Sequence, residues 1–403
     1  MMKNRRSYIN TLMEFIDKDV IKVIVGVRRC GKSTLLKLFT EELIKRKIPL
    51  KNIIHINFES MRYRDITDYN LFYDYVAGRI PEYGKIYLLI DEPQMVSGWE
   101  KAVNSFKIDF NCDIYITGSN ARLLSSELST LISGRYVEID LYPLSYKEYL
   151  DFHNKEKNDD SFQSYLKFGG FPSIIELGDN IDRINDVLDG IYNTVIVKDV
   201  ITKNKIKDEE LLLKIVAFLA DNVGNPTSSN SIANSLIGEK RLENIGKIPA
   251  VSTVENYIGA LVKAYVFYEA KRYDLKGKNL LKTLGKYYIV DIGLRNMLLG
   301  YRDIDRGHIL ENIVFLELKR RGYNVFIGKV DDKEVDFIAE KASHKIYIQV
   351  CETLGNDDTL KRELAPLLVI QDNYDKLIIT NDKTFVESYA GIKVVNTANW
   401  LLE

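Results

Sequence analysis

Apolar residues in the first 150 positions fall into five short runs that alternate with segments of helical spacing. Short β-branched runs are typical of buried parallel strands, whereas apolar residues at i, i+3 and i+4 are typical of helices packed on a sheet. The alternation therefore predicts an α/β domain with a parallel sheet and helices on both faces. The predicted strands are Lys22–Val27, Asn52–Glu59, Lys85–Glu92, Cys112–Ser119 and Arg135–Leu144.

The first predicted strand leads directly into a glycine-rich segment that fits G-x-x-x-x-G-K-[ST], and a helical pattern follows. Strand, loop and helix in this order predict a phosphate-binding loop for ATP, because backbone N–H groups and a helix N-terminus converge on the phosphates. Lys32 would contact the β and γ phosphates, and the Ser33 hydroxyl would bind Mg²⁺. The predicted nucleotide-binding positions are Gly26, Val27, Arg28, Arg29, Cys30, Gly31, Lys32, Ser33 and Thr34.

The third predicted strand ends in two acids, Asp91 and Glu92. A hydrophobic strand followed by acids is the arrangement that holds the Mg²⁺ of a bound nucleotide. Asp91 would stand behind the metal, and Glu92 would polarise the attacking water as a general base. The alternative is a helix N-cap with an acid in the first turn, which the sequence Asp-Glu-Pro would also suit.

Three further side chains are candidates for sensing the γ-phosphate. Ser119 and Asn120 end the fourth predicted strand, and ligands of open α/β sheets bind at the carboxyl ends of strands. The alternative for this pair is an ordinary turn. Arg135 opens the fifth predicted strand and is a candidate arginine finger or a surface ion pair, with Arg122 as a second candidate.

The composition is that of an ordinary globular chain, with a net charge of −1 and 46% apolar residues. The near-zero charge excludes a global attraction to nucleic acid, so any such contact needs a local basic patch. No apolar run approaches the about 20 residues of a membrane helix, and no apolar signal core follows the basic N-terminus. The 3 well-separated cysteines argue against disulfides and zinc, and predict a reducing cytoplasm.

The middle of the chain predicts three helices and a β-hairpin, the elements of a winged helix. The helices are predicted at Glu209–Asn222, at Ser229–Leu236 and from Ser252, where Ser252 and Glu255 form a capping box. The hairpin strands are predicted at Val266–Arg272 and Tyr287–Asp291 around a basic turn. DNA binding through the third helix and the wing is one interpretation. A lid or protein-docking module is the other, because the third helix carries few cations and follows a long connection.

The last segment predicts the order helix, strand, strand, strand, helix, strand, which resembles the restriction-endonuclease-like fold. Such nucleases need an acid on the first helix, an Asp on the second strand and an acid-x-Lys on the third. Glu311 and Asp336 fill the first two positions. The third has Gln349 and Cys351, which supply neither the acid nor the lysine. The sequence therefore predicts a degenerate nuclease-like site at Glu311, Asp336 and Gln349.

Several motifs together resemble one family, the prokaryotic AAA-type ATPases that carry a C-terminal domain of unknown function. The phosphate-binding loop, Asp-Glu-Pro-Gln and Thr-Gly-Ser-Asn belong to this resemblance. So do the later motifs Gly169-Gly170-Phe171-Pro172, Lys198-Asp199-Val200, Asp291-Ile292-Gly293-Leu294, Leu310-Glu311-Asn312 and Glu334-Val335-Asp336-Phe337. The resemblance implies ATP binding and hydrolysis by Lys32, Ser33, Asp91 and Glu92.

The predicted organisation has four parts: an ATPase core at 1–150, a helical linker or lid at 151–205, a winged-helix-like domain at 206–300 and a nuclease-like, inactive domain at 301–403. The favoured function is an Mg²⁺-dependent ATPase whose nucleotide state is read by later domains that bind DNA or a protein client. The alternatives are a nucleotide-dependent binding switch with little turnover and an ATP-dependent nuclease. The oligomeric state is left open by the sequence, because Arg135 could act on the nucleotide of its own subunit or on that of a neighbouring subunit.

Overall fold

The computed structural model describes residues 5–121, 135–235 and 250–403, except for the side chains of residues 282 and 283. It divides into two compact units. The first runs to Leu141 and includes Lys263–Tyr265, and the second comprises Tyr142–Val262 and Val266–Glu403. Among the described residues, no helix combines the length and apolar character needed to cross a bilayer.

The first unit is built on a five-stranded sheet in the order β2-β3-β4-β1-β5, and every neighbouring pair is parallel. The predicted α/β class with a parallel sheet is thus confirmed. The strands are β1 (Ile21–Val25), β2 (Ile53–Asn57), β3 (Ile86–Asp91), β4 (Cys112–Gly118) and β5 (Tyr136–Asp140). The helices are α1 (Arg6–Glu14), α2 (Lys32–Lys45), α3 (Tyr69–Ala77) and α4 (Trp99–Asp109).

A buried ion pair lies inside this sheet. Lys22 on β1 is fully buried, and its ammonium donates to the Asp113 carboxylate on β4. The Tyr115 hydroxyl donates to the same carboxylate at 2.9 Å, and the ammonium also donates to the Lys18 carbonyl at 3.1 Å. A charged residue fits a fully buried strand here because its partners are buried with it.

The second unit begins with helices and ends with a mixed sheet. Its helices are α5 (Tyr146–His153), α6 (Asp159–Phe168), α7 (Ile181–Thr194), α8 (Glu209–Asp221), α9 (Val251–Lys263), α10 (Ile292–Leu299), α11 (Arg306–Arg320), α12 (Asp357–Val369) and α13 (Thr397–Trp400), with a π-helix at Val195–Thr202 and a helical segment at 229–235. Its strands are β6 (Phe267–Asp274), β7 (Asn279–Ile289), β8 (Asn324–Val330), β9 (Lys333–Lys341), β10 (His344–Cys351), β11 (Asp375–Thr380), β12 (Ser388–Tyr389) and β13 (Ile392–Asn396).

The hairpin β6–β7, which the sequence predicts as the hairpin of a winged helix, is part of the same sheet as the C-terminal strands. The order is β12-β13-β11-β10-β9-β8-β6-β7, and β6 pairs with β8 in parallel. The hairpin of the predicted winged-helix-like domain therefore belongs to the sheet of the domain predicted at 301–403. Two of its basic side chains pair with acids of the neighbouring hairpin, Arg272 with Glu334 at 3.6 Å and Lys276 with Asp331.

The third helix of the predicted winged helix differs in two details. It begins at Val251, so Ser252 lies within the first turn, and the predicted capping box at Ser252 is wrong. Tyr257 is buried on this helix instead of lying on its exposed face, and its hydroxyl accepts the N–H of Asp208 at 3.2 Å. The long connection between the second and third predicted helices lies largely outside the described residues.

The C-terminal element order agrees with the predicted one. Helix α11 precedes the antiparallel strands β8, β9 and β10, and α12 precedes β11, which is parallel to β10. Gly322, which follows the end of α11, has a positive φ of 81°.

Two glycine motifs are explained by one buried carboxylate. Asp291 accepts the N–H groups of Gly170 at 2.7 Å and Gly293 at 2.9 Å. Gly169 has φ +74°, and a Cβ at this position would lie 2.1 Å from Asp291 Oδ1. The motifs at 169–172 and 291–294 are therefore joined through Asp291, and a side chain on Gly169 would displace this capping carboxylate.

Candidate functional site

The glycine-rich loop follows β1 and ends at the first turn of α2. Gly26 has φ +150°, and a Cβ there would lie 2.1 Å from the Leu141 carbonyl oxygen, so only glycine fits. Gly31 is the N-cap of α2 with φ 106°. The loop is also braced from α1, where the Arg5 guanidinium donates to the Cys30 carbonyl at 3.2 Å. The loop thus presents its N–H groups at a helix N-terminus.

Lys32 is buried at this loop, with 6% of its surface exposed. Its ammonium donates to the carbonyls of Gly26 at 2.9 Å and Val27 at 3.0 Å. Ser33 is half-buried one residue further along, and Thr34 is exposed. The lysine therefore lies folded along the loop that would cradle phosphates, and the next side chain offers a hydroxyl.

Asp91 ends β3 at the same edge of the sheet and is 1% exposed. Its Oδ1 accepts the hydroxyl of Thr117 on β4, and its Oδ2 accepts the Asn57 amide on β2 at 3.0 Å. Side chains from both neighbouring strands therefore fix the carboxylate. These two partners cannot be found from the motif alone, because only the strand order β2-β3-β4 makes them neighbours.

Glu92 adopts the left-handed conformation, with φ 55° and ψ 49°, and is 6% exposed. Non-glycine residues rarely adopt this conformation, and those that do are often found at functional sites. The following 3-10 helix, Pro93–Met95, has no side-chain capping bond from Glu92, so the alternative of a simple N-cap is not supported. Burial raises the pKa of Glu92, Lys32 lowers it, and Asp91 raises it further, with a net rise.

Two polar side chains contact Glu92. The Gln94 amide donates to Glu92 Oε2, and the Ser119 hydroxyl donates to the same oxygen at 3.4 Å. The second amide atom of Gln94, Oε1, is buried and has no hydrogen-bond partner within the described residues. Asn120 is also buried beside Ser119 at the end of β4. Sequence reasoning missed Gln94, although it stands two residues after Glu92 in the motif Asp-Glu-Pro-Gln.

Arg28, another residue of the loop, pairs with Glu59 just beyond β2, at 2.7 Å. Both charges act on Glu92: the arginine lowers its pKa and the glutamate raises it. The loop, the end of β2 and the end of β3 therefore meet in one cluster of charges. Arg29 is exposed and has a positive φ of 69°.

Arg135 does not lie at this edge of the sheet. Strand β5 is parallel to β1, with Tyr136 opposite Ile21 and Asp140 opposite Val25, so Arg135 is at the amino end. Its carbonyl accepts the N–H of Ile21 at 2.9 Å. The glycine-rich loop starts at Gly26, six residues along from the level of Arg135, or about 20 Å at 3.3 Å per residue. The prediction that Arg135 contacts the nucleotide of its own subunit is therefore wrong. Arg122 lies outside the described residues.

The three residues of the predicted degenerate site lie close together in the second unit. Glu311 on α11, Asp336 on β9 and Gln349 on β10 line one cleft of about 710 Å³. A residue that sequence reasoning did not include joins them: Lys286 on β7, with its ammonium 3.0 Å from Glu311 Oε1. No local signal in the sequence marks Lys286, because its role depends on β7 belonging to the C-terminal sheet.

Comparisons with known proteins agree with this geometry. A family model described as an AAA domain matches residues 18–150, and a model for a domain of unknown function matches residues 159–305. An uncharacterised protein of Haemophilus influenzae is 42% identical over 100% of this chain and 99% of its own length. An uncharacterised protein of Methanocaldococcus jannaschii is 32% identical over 91% of this chain and 83% of its own length.

Solved structures with a similar fold include one of an archaeal ATPase. A Walker-type ATPase of Pyrococcus abyssi aligns with a TM-score of 0.51 and 14% identity, over 74% of this chain and 96% of that one. The loop, the parallel sheet and the family match define the class as a P-loop ATPase. The chain belongs to one family with the Haemophilus protein, which it matches over 100% of its length, and the Methanocaldococcus protein, which it matches over 91%. Within this chain, residues 18–150 match the AAA domain.

Proposed function

We propose that the first unit binds ATP with Mg²⁺ and hydrolyses it to ADP and phosphate. The observation that carries the proposal is the convergence of Lys32, Asp91 and Glu92 at the carboxyl edge of one parallel sheet. Ligands of open α/β sheets bind at this edge. The ATPase fold and the AAA-domain match support the same assignment.

The proposed binding roles follow from the chemistry of each group. On nucleotide binding, the Lys32 ammonium exchanges its two loop carbonyls for phosphate oxygens, a stronger charge-assisted contact. The N–H groups of the loop from Gly26 to Thr34 bind the remaining phosphate oxygens. Mg²⁺ prefers hard oxygen ligands, and the Ser33 hydroxyl and the Asp91 carboxylate supply them. Bound Mg²⁺ would neutralise charge on the transferred phosphoryl group.

Glu92 is the proposed general base, and Gln94 is a proposed positioning residue. The Gln94 amide orients the Glu92 carboxylate, while its own Oε1 is available to accept a hydrogen bond from the attacking water. A base with a raised pKa is better matched to proton transfer near neutral pH than an ordinary glutamate. Ser119 and Asn120 are proposed contacts of the γ-phosphate or the water at the same edge.

Two substitutions test this assignment in purified protein. Lys32→Ala should abolish ATP binding and turnover, whereas Lys37→Ala, an exposed lysine of the same helix, should change neither. Glu92→Gln should keep ATP bound and slow phosphate release about 10²- to 10⁴-fold, the usual contribution of a general base. The matched control is Glu41→Gln, which is exposed on α2. Wild-type turnover in Glu92→Gln would show that another group is the base.

The same measurements separate hydrolysis from a nucleotide-dependent switch. A switch would bind ATP tightly, yet its phosphate release would not exceed spontaneous hydrolysis and would not respond to Glu92→Gln. The left-handed backbone at Glu92 favours ATP hydrolysis over a switch, because strained residues cluster at sites where groups must be held in position for catalysis.

We propose that the second unit reads the nucleotide state and acts on a protein client. Two cations of the predicted wing, Arg272 and Lys276, pair with acids, which leaves less positive charge for DNA phosphates. Turnover measured with and without duplex DNA tests this point. A DNA-stimulated rate that falls as salt is raised would favour DNA over a protein client.

A further inference from the structure

One buried lysine lies against the acids of the cleft that Glu311, Asp336 and Gln349 line, which is called the nuclease-like cleft below. Lys286 on β7 is 3% exposed, and its ammonium lies 3.0 Å from Glu311 Oε1, 2.8 Å from Glu334 Oε1 and 3.8 Å from Asp336 Oδ1. The three carboxylates come from α11 and β9, which are remote from β7 in sequence. The ammonium is thus the common partner of the acids in the predicted degenerate site.

Two polar side chains of the cleft, Gln349 and Asp336, are also held by other protein groups. Gln349 Oε1 accepts the N–H of Asp336 at 2.7 Å, and its amide donates to Glu363 at 3.0 Å. Asp336 Oδ2 accepts the N–H of Val350 at 2.8 Å. The side chain that replaces the third acid therefore ties two strands and a helix together and does not supply a carboxylate to the cleft.

Glu311 is held by two donors at once. Its Oε1 accepts from Lys286 and also from the Tyr288 hydroxyl at 2.7 Å. The next residue, Asn312, bonds the N–H and the carbonyl of Ile289 at 2.8 and 2.9 Å. Both polar residues of the motif Leu-Glu-Asn therefore bind β7, the strand that brings Lys286.

The charges in this cluster keep the lysine protonated. Burial alone would lower the pKa of Lys286, but the carboxylates of Glu311, Asp336 and Glu334 raise it above its ordinary value. Burial and the nearby Glu311 carboxylate raise the pKa of Asp336, while Lys286 opposes that rise. A buried ammonium with several carboxylate partners is the arrangement in which a charge is tolerated inside a protein.

The resemblance to nucleases implies a divalent metal on Glu311 and Asp336, and the residues do not fit one. The Lys286 ammonium lies 3.0 Å from Glu311 Oε1 and 3.8 Å from Asp336 Oδ1, the carboxylates that would bind the metal. The third acid is replaced by Gln349, whose side-chain oxygen already accepts the N–H of Asp336. Within the described part of the chain, no group of three or more His, Cys, Asp or Glu side chains is arranged to hold a metal ion.

We infer that the Lys286 ammonium takes the place of the divalent cation in this nuclease-like site. The site is then a metal-independent ion-pair centre that joins β7 to α11 and β9. A fixed ammonium compensates the buried carboxylates but offers no coordination position at which a water could be activated. This inference concerns the second unit and is independent of the proposed ATP hydrolysis.

The inference is tested by removing the ammonium from the full chain without nucleotide. Lys286→Met keeps the side-chain length and leaves three carboxylates around a neutral group. Mn²⁺ binding is followed through the paramagnetic resonance signal of the free ion. We expect Lys286→Met to bind about one Mn²⁺ that wild type does not bind, and expect Asp336→Asn in that background to abolish it. Lys271→Met, an exposed lysine of the same hairpin, should resemble wild type.

Thermal unfolding gives a second readout. In a Trp99→Phe background, the remaining tryptophan, Trp400, reports the second unit. Breaking a buried ion pair should lower the midpoint of Lys286→Met by about 6–20 °C, and Mn²⁺ should restore part of that loss while leaving wild type unchanged. Lys286→Met with Glu311→Gln, which removes one charge of each sign, should be less destabilised and allows the binding measurement if the single variant does not fold.

Three results would overturn the inference. Wild type could bind Mn²⁺ in a manner lost in Asp336→Asn, or the Lys286 variants could fold and bind none. Wild type could also cleave DNA with Mg²⁺ or Mn²⁺ and lose that cleavage in Lys286→Met, which would make Lys286 a catalytic lysine beside a metal.

Discussion

Gln94→Ala isolates the contribution of one amide to the proposed general base. The amide donates to Glu92 Oε2, and Glu92 is 6% exposed, so water replaces this contact poorly. The only other side-chain donor to this carboxylate within the described residues is Ser119, at 3.4 Å. Truncation therefore leaves the base buried, strained in the left-handed region and held by a single long contact.

The size of the effect follows from these contacts. A hydrogen bond to a charged group contributes about 1.5–3 kcal/mol. Each 1.36 kcal/mol in the activation barrier is a tenfold change in rate, so full loss of the bond would cost about 10- to 150-fold. Because Ser119 continues to orient Glu92, we expect a decrease of kcat of about 10- to 30-fold. ATP affinity should be unchanged, because the amide contacts the base and not the loop.

The assay is steady-state phosphate release at saturating ATP, with ATP affinity measured separately by titration of a fluorescent analogue. Gln371→Ala, at an exposed position, is the matched control. A kcat within twofold of wild type would refute the positioning role of Gln94. So would a fall in ATP affinity by the same factor as kcat, because the amide would then act on binding and not on the base.

Two further predictions concern pH and stability. Burial and then Asp91 raise the pKa of Glu92 above its ordinary 4.5, against the opposing charge of Lys32. Only the ionised carboxylate is a base, so kcat should fall as pH is lowered, with a midpoint above 4.5. The Glu92→Gln variant should lack this fall. Asp113→Ala leaves the buried Lys22 ammonium without its carboxylate and should cost about 3–5 kcal/mol, most of which Lys22→Met in the same chain should restore. Urea unfolding followed by Trp99 in a Trp400→Phe background measures this, and equal stability of single and double variants would contradict it.

The phosphate-binding loop was predictable because its chemistry is local. Glycines, lysine and serine lie within eight consecutive residues, and the strand before and the helix after are marked by their own apolar periods. The acids at 91 and 92 follow the same logic, since the end of one buried strand identifies them. For these residues, positions that are close along the chain are also close in the folded site.

Arg135 shows where this logic ends. The sequence places it beside a predicted strand but does not state which end of the sheet that residue reaches. The parallel register of β5 with β1 puts it at the amino edge, away from the loop. Ser119 and Asn120 directly follow β4, which runs in the same direction as β5, so they lie at the carboxyl edge of the sheet with Glu92.

The amino-acid sequence by itself determined the fold class, the loop and the acids of the proposed ATPase site, since short-range periodicity and contiguous motifs encode them. Tertiary structure alone decided that Thr117 and Asn57 hold Asp91, that Gln94 holds Glu92, and that Lys286 pairs with Glu311. The physical reason is that these contacts depend on strand order and backbone direction. A lysine on β7 meets acids on α11 and β9 only because β6 pairs with β8, and no local pattern specifies that pairing.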